Sequence, residues 1–75
     1  MHKFKCRNIE ILRKAKRLTV AEMMEKLGHS REMYYQSWKK GNIKLKEIIQ
    51  LHDFFEVSTD CILDLREIQI QEKNI

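Results

Sequence analysis

The sequence predicts an all-α fold made of five short helices in one domain. It has no proline and only two glycines, Gly28 and Gly41, and this scarcity of breakers favours helices with short connections over a sheet with many turns. Apolar residues recur at helical spacing along most of the chain. Its 75 residues, 43% of them hydrophobic, are enough for one small core and too apolar for a disordered tail.

The first predicted helix begins near Ile9. Ile11, Ala15 and Leu18 follow the i, i+4, i+7 spacing of one helical face, and basic residues stand between them. We expect these three apolar residues to point inward and the basic residues to face solvent.

The second predicted helix begins after Thr19. Thr19 can cap the helix while Glu22, three residues later, reaches back to the Thr19 amide, which is the arrangement of a capping box. Gly28 then ends the helix, at a position where a left-handed backbone is usual. The apolar stripe between the two ends comprises Val20, Met23, Met24 and Leu27.

The third predicted helix follows a very short connection. Ser30 offers an N-cap, and residues 31–40 contain no breaker before Gly41. Trp38 lies four residues after Tyr34 and three after Tyr35, so aromatic side chains share a helical face. We predict that Trp38 lies in the core and that one tyrosine points outward.

Two further helices complete the prediction. The fourth covers about Leu45 to Phe55, and Ser58 is the expected cap of the fifth. The tail from Glu67 to Gln71 alternates apolar and polar residues, which fits either a strand or a frayed end. The residues of the fourth helix expected to point inward are Leu45, Ile48, Ile49, Leu51 and Phe55, and the fifth helix carries the apolar residues Cys61, Ile62 and Leu65.

Charge is distributed unevenly along the chain, which has a net charge of +4. Residues 1–17 contain seven basic residues and one acidic residue, whereas residues 42–75 contain four basic and seven acidic residues. A molecule polarised in this way would present its basic end to a polyanion. Basic N-termini are also common in proteins that bind no nucleic acid, so charge alone leaves the partner open.

Several classes of protein are not expected. No apolar run is long enough to span a membrane or to form a signal peptide. The two cysteines, Cys6 and Cys61, are far apart, and we expect reduced thiols in a cytoplasmic protein. His2, His29 and His52 lack metal-ligand spacing, and no catalytic motif is present. We therefore predict a protein that is not an enzyme and has no metal, no cofactor and no membrane contact.

The segment from Val20 to Trp38 has the spacing of a helix-turn-helix. Such a unit requires apolar residues at its fourth, eighth and fifteenth positions and glycine at its ninth. Met23, Leu27, Tyr34 and Gly28 meet these requirements. The tight turn makes the two helices cross steeply, so that the second helix can enter a DNA major groove.

The chain as a whole resembles the Cro/CI (XRE) family of phage and bacterial regulators. The resemblance covers about residues 8–65 and implies a compact five-helix lambda-repressor-like domain with the helix-turn-helix at helices 2 and 3. The segments that carry it are Ile9-Glu10-Ile11-Leu12-Arg13-Lys14, Leu18-Thr19, Glu25-Lys26-Leu27-Gly28, Ser37-Trp38-Lys39-Lys40-Gly41, Glu47-Ile48-Ile49-Gln50-Leu51 and Phe54-Phe55-Glu56-Val57-Ser58-Thr59-Asp60.

The chain departs from the family pattern at four places, all in the helix-turn-helix. Val20 stands where glutamine is usual, Met24 where alanine is usual, and His29 where an apolar residue is usual. Trp38 and Gly41 each lie one position later than in typical members. The third helix would then run one residue longer, or Ser37 would take the usual apolar place.

The resemblance also implies which residues would contact DNA. The residues expected to face base edges are Ser30, Arg31, Glu32, Met33 and Gln36. The residues expected to contact phosphates are Arg13, Lys14, Arg17, Tyr35, Lys39, Lys40, Asn42 and Lys44.

Two functions are consistent with the sequence. The first is a sequence-specific transcriptional regulator of prophage or mobile-element type, expected to be a repressor, which binds a near-palindromic operator in double-stranded DNA as a homodimer. Residues 1–65 would form the DNA-binding domain, and residues 66–75 a tail that contributes to the dimer contact. The alternative is a helix-turn-helix scaffold that binds a protein, such as a phage-encoded inhibitor or antirepressor. The expected dimer surface consists of Ile62, Leu65, Ile68 and Ile70.

Overall fold

A computed structural model of the chain describes residues 4–68. Within them the fold is all-α, as predicted, with five α-helices, one 3-10 turn and no strand. The α-helices are α1 (Arg7–Ala15), α2 (Val20–Leu27), α3 (Arg31–Gln36), α4 (Leu45–Phe55) and α5 (Thr59–Ile62), and the 3-10 turn is Trp38–Lys40. Most of the predicted alternating tail, including Ile70, lies outside the described residues.

One core joins all five helices. Helix α5 packs against both α1 and α4, and α2 packs against α3. Burial of these apolar side chains is the main force that stabilises such short helices, because each is too short to persist alone in water. The core consists of Cys6, Ile9, Leu12, Met23, Met24, Leu27, Tyr34, Trp38, Leu51, Phe55 and Ile62.

The prediction for the inward face of α1 is correct for Leu18, which packs against the core, but wrong for Ile11 and Ala15. Ile11 is 39% exposed and Ala15 is exposed, whereas Ile9 and Leu12 lie in the core. The buried face includes Asn8, whose side-chain amide donates to the carbonyls of Cys61 (2.8 Å) and Arg66 (2.7 Å). These bonds turn the Asn8 side of the helix towards α5, so Ile11 faces solvent.

The first turn of α1 is capped by Asp64, which is distant in sequence. Cys6 has a left-handed backbone (φ 59°) at the N-cap, and its side chain makes no capping bond. The Asp64 carboxylate accepts hydrogen bonds from the backbone amides of Lys5 (2.9 Å), Arg7 (3.2 Å) and Asn8 (2.8 Å). A negative charge at a helix N-terminus satisfies free amides and interacts favourably with the helix dipole. Asp64 therefore ties the end of α5 to the start of α1.

Helix α4 buries a narrower face than its apolar pattern predicts. Leu51 and Phe55 are in the core and Ile48 is partly buried, as expected. Leu45 and Ile49, however, are 71% and 47% exposed, so the prediction that they point inward is wrong. Ile49 lies about 160° and Leu45 about 120° around the helix from Leu51, because a turn has 3.6 residues.

One residue of the predicted dimer surface, Ile62, is buried within the chain. Ser58 caps α5 as predicted, but Ile62 is 0% exposed and belongs to the core of the single chain. It cannot contact a second copy, so its assignment to a dimer interface is corrected. Ile68 packs partly against the same core, and Leu65 is 55% exposed.

Both cysteines are free thiols. The Cys6 thiol is fully buried and donates a hydrogen bond to the hydroxyl of Tyr34 (3.8 Å). Burial, assisted by the nearby carboxylate of Glu10, raises the pKa of Cys6 from 9.0 to about 12. The folded value lies above the unfolded one, so this thiol's contribution to stability is complete below pH 9 and is lost between pH 9 and about 12.

This pKa predicts a slow reaction of Cys6 with thiol reagents. In the variant Cys61→Ser, which keeps Cys6 as the single thiol, we expect alkylation at pH 8 to be about 1000-fold slower in the folded protein than in denaturant. Only the thiolate reacts, and each pKa unit lowers its fraction about tenfold. Similar rates with and without denaturant would contradict this placement of Cys6.

Candidate nucleic-acid interface

Helices α2 and α3 are joined by a three-residue turn with well-defined ends. Thr19 and Glu22 form the predicted capping box at the start of α2. Gly28 has a left-handed backbone (φ 80°), as predicted, and its amide donates to Glu25. Ser30 caps α3 by accepting a hydrogen bond from the amide of Met33 (3.3 Å). The hydroxyl of Ser30 therefore uses one acceptor lone pair within the chain and keeps its O–H group as a donor.

Helix α3 divides into a buried and an exposed side. Tyr34 is 1% exposed and packs edge-on against Tyr35 and Trp38, with ring centroids 5.2 and 6.0 Å apart. Tyr35 is 48% exposed and is the outward tyrosine that the sequence predicted. Met33 is only partly exposed, since it packs against the core. We call the exposed side the outer face of α3, and it consists of Arg31, Glu32, Tyr35 and Gln36.

The end of α3 differs from the prediction of one helix over residues 31–40. The α-helix ends at Gln36, Ser37 leaves helical geometry (φ −120°, ψ −66°), and a 3-10 turn follows. This change of winding carries Trp38 into the core (0% exposed) although it lies one position later than in the family pattern. Gly41 then has φ 92°, and a Cβ atom there would lie 3.1 Å from the carbonyl of Phe4, so this position requires glycine.

A buried carboxylate fixes the end of this segment to α4. Glu47 is 8% exposed and accepts hydrogen bonds from the indole Nε1 of Trp38 (3.1 Å) and from the amide of Lys44 (2.9 Å). The sequence reasoning did not predict this role of Glu47. Its position three residues after the N-cap Lys44 is a signal for helix capping, and a buried tryptophan requires an acceptor.

His29 joins the turn to α4. Its Nε2 atom lies 2.6 Å from Oε1 of Gln50, and the Gln50 amide in turn donates to the carbonyl of Leu27 (2.9 Å). The imidazole also packs edge-on against Trp38 at 6.0 Å. His29 thus stands at the position where the helix-turn-helix pattern has an apolar residue, and its ring contacts Trp38 there. Its bond to Gln50 holds the turn against α4.

One residue predicted to contact phosphate, Arg13, lies in a partly buried ion pair. The Arg13 guanidinium is 14% exposed, pairs with Glu10 (2.9 Å) and donates to the carbonyl of Leu18, so it is occupied within the chain. Burial raises the pKa of Glu10, but the hydrogen bond and charge of Arg13 outweigh it and hold that pKa below its ordinary value. The other predicted phosphate residues are exposed, namely Lys14, Arg17, Tyr35, Lys39, Lys40, Asn42 and Lys44.

An open cleft of about 280 Å³ runs beside α3. Its lining includes Met33 of α3 and the exposed residues Asn42 and Lys44 of the segment that leads into α4. The described lining is completed by Ser37, Gly41, Ile43 and Glu47. A groove of this kind, with polar residues in its lining, can receive a phosphate backbone while α3 contacts bases.

Comparisons with protein-family models, with curated proteins and with solved structures find no match to this chain. Among residues 4–68, no three His, Cys, Asp or Glu side chains lie close enough together to hold a metal ion. In the same part of the chain, no helix has the length and apolar character needed to cross a membrane.

Proposed function

We propose that the protein is a sequence-specific transcription regulator that binds double-stranded DNA through α3. In this proposal α2, the turn and α3 form a helix-turn-helix of the Cro/CI kind within a lambda-repressor-like domain. The observation that carries it is the division of α3, in which Tyr34 anchors the helix in the core while Arg31 and Gln36 are exposed. A rigidly held helix with polar groups on its outer face suits recognition of base edges.

The chemistry of the outer face of α3 favours duplex DNA. Arg31 can donate two hydrogen bonds to guanine, and Gln36 can pair with adenine. Glu32 is exposed in the first turn of α3 and can accept from cytosine. Tyr35 can donate its hydroxyl to a phosphate.

Exposed basic residues would supply most of the affinity. Lys39 and Lys40 follow α3 directly on the 3-10 turn, and Lys44 precedes α4 beside the cleft. Neutralising several phosphates makes binding fall steeply with salt. Arg13 is not among these residues, because its guanidinium is already paired with the carboxylate of Glu10.

The experiment that tests the function is selection of bound sequences from a random duplex pool, followed by a salt series on the selected duplex. A regulator enriches a near-palindromic sequence and binds random duplex weakly at low salt with a steep negative salt slope. Absence of any binding at low salt would refute DNA recognition and would favour the alternative, a scaffold for a protein partner.

Arg31→Ala is expected to weaken binding to the selected duplex by about 1–3 kcal/mol and to relax selectivity at one position. Loss of a bidentate contact with guanine explains the size of the effect. Fluorescence anisotropy with matched and mismatched duplexes measures it. Arg66→Ala is the control, because Arg66 is 62% exposed but lies after α5. Equal effects of the two substitutions would contradict a base-reading role for Arg31.

A further inference from the structure

The outward side of α4 carries a second exposed surface, distinct from the outer face of α3. We call it the outer face of α4, and it consists of Leu45, Lys46, Ile49, His52 and Asp53. We propose that this face binds the same face of a second copy of the chain, with the two α4 helices antiparallel. The homodimer contact then lies on α4 and does not include Ile62, which is buried.

The apolar part of the face has no partner within the chain. Leu45 is 71% exposed and Ile49 is 47% exposed, and one helical turn separates them, so their side chains adjoin. Exposed large apolar side chains that adjoin each other on a helix are typical of an association surface. The opposite side of α4 already contacts the core through Leu51 and Phe55.

The charges of the face are arranged against the dipole of their own helix. Lys46 lies in the first turn of α4, where an acidic residue is favoured, and Asp53 lies near the last turn, where a basic residue is favoured. Asp53 is 75% exposed, and its nearest ion-pair contact is His52 at 3.9 Å. Lys46 makes no ion pair within residues 4–68. Both charges are available to a partner.

Antiparallel pairing about a two-fold axis near Ile49 matches these charges. The midpoint between residues 46 and 53 falls between Ile49 and Gln50, so an axis at that point places Lys46 opposite Asp53 of the partner subunit, and the symmetric pair forms as well. The two Ile49 side chains pack at the axis, flanked by Leu45. A self-complementary patch of this kind is what an isologous dimer requires, and the two helix dipoles also oppose each other.

The order of the charges also favours a second copy of the chain over a nucleic acid as the partner of this face. A nucleic acid would be repelled by Asp53, whereas a second copy offers the opposite charge at each end of the face. The apolar area is small, since a standard interface buries about 800 Å² per partner. We therefore expect a weak dimer, with a dissociation constant on the order of 10–100 µM.

The relevance of this dimer to an operator rests on the proposed function, but the contact itself can be tested without DNA. Sedimentation equilibrium of the full chain, from about 5 to 500 µM, brackets the expected constant. The charge variants are Lys46→Asp, Asp53→Lys and the double variant, with Lys26→Asp as a charge-matched control on α2. Ile49→Asp and Leu65→Asp compare the apolar part of this face with the exposed leucine after α5. Thermal unfolding is recorded for each. Lys46→Asp and Asp53→Lys each place a charge that suits the α4 dipole, so they should not reduce stability.

Each single reversal is expected to weaken dimerisation about tenfold or more, because two like-charged pairs then face each other. The double variant is expected to return to within about threefold of the original constant, since both pairs are restored in opposite order. Lys26→Asp should leave the constant unchanged. A monomer at all concentrations, a double variant as weak as the singles, or a loss of dimer on Leu65→Asp with none on Ile49→Asp would each overturn the proposal. None of these outcomes depends on whether DNA binds.

Discussion

Replacing Trp38 by alanine is expected to lower the free energy of unfolding by about 3–5 kcal/mol. The indole is fully buried, packs against Tyr34 and His29, and donates to the buried carboxylate of Glu47. Truncation leaves a cavity and removes one of the hydrogen bonds of a carboxylate that is 8% exposed. A chain of this size is expected to have only about 4–11 kcal/mol of stability, so this single change can unfold a large fraction of the protein.

Urea denaturation followed by far-UV circular dichroism measures this loss and does not depend on tryptophan fluorescence. Trp38→Phe separates the two causes, because it keeps most of the ring but removes the Nε1 donor, and we expect a loss of about 1–3 kcal/mol. Tyr35→Ala serves as the control, since this neighbouring aromatic is 48% exposed, and a change near 0.5 kcal/mol or less is expected. A loss for Trp38→Ala no larger than that for Tyr35→Ala would contradict the buried position of Trp38.

Replacing Asp64 by alanine is expected to cost about 2–4 kcal/mol of stability. The substitution removes the acceptor of three backbone amides at the start of α1. Hydrogen bonds to a charged group are worth more than neutral ones, although the three do not add in full. The loss should also detach the first turn of α1 from α5, which amide hydrogen exchange at Arg7 and Asn8 would detect.

Asp64 also has a left-handed backbone (φ 64°). A loss of stability on substitution therefore has two sources, the missing carboxylate and the backbone strain of the new residue, and two further variants separate them. Asp64→Gly relieves any backbone cost while removing the carboxylate, so it should remain clearly less stable than the original chain. Asp64→Asn tolerates the left-handed conformation and keeps one acceptor oxygen, so its stability should lie between that of Asp64→Gly and that of the original chain. Full stability of Asp64→Gly would show that the carboxylate does not stabilise α1.

Local signals in the sequence predicted the helix ends well where the capping residue adjoins the helix. The capping box of Thr19 and Glu22, the left-handed Gly28, and the caps by Ser30 and Ser58 are all confirmed. These interactions span two or three residues, so their geometry follows from the order of residues alone. The burial of Tyr34 and Trp38 is confirmed for a similar reason, because large aromatic side chains in a small domain dominate its core.

Helix ends without such signals were not predicted. Arg17, Glu56 and Asp64 adopt left-handed conformations although none is glycine. This geometry is uncommon for residues other than glycine, and glycine spacing gives no indication of it. The early end of α3 is a similar case, since Trp38 reaches the core only through a change from α to 3-10 winding.

The sequence by itself determined the helical class, the order of the helices and the turn between α2 and α3, because these depend on periodicity and on caps next to the helix. Tertiary structure decided which side of each helix is buried, and it reversed the predictions for Ile11, Leu45 and Ile49. The helices carry more apolar residues than a core this small can bury. Polar contacts with residues distant in the chain therefore decide which side of a helix is buried. Asn8 and Asp64 make such contacts, and no pattern within a single helix encodes a partner more than 50 residues away in the chain.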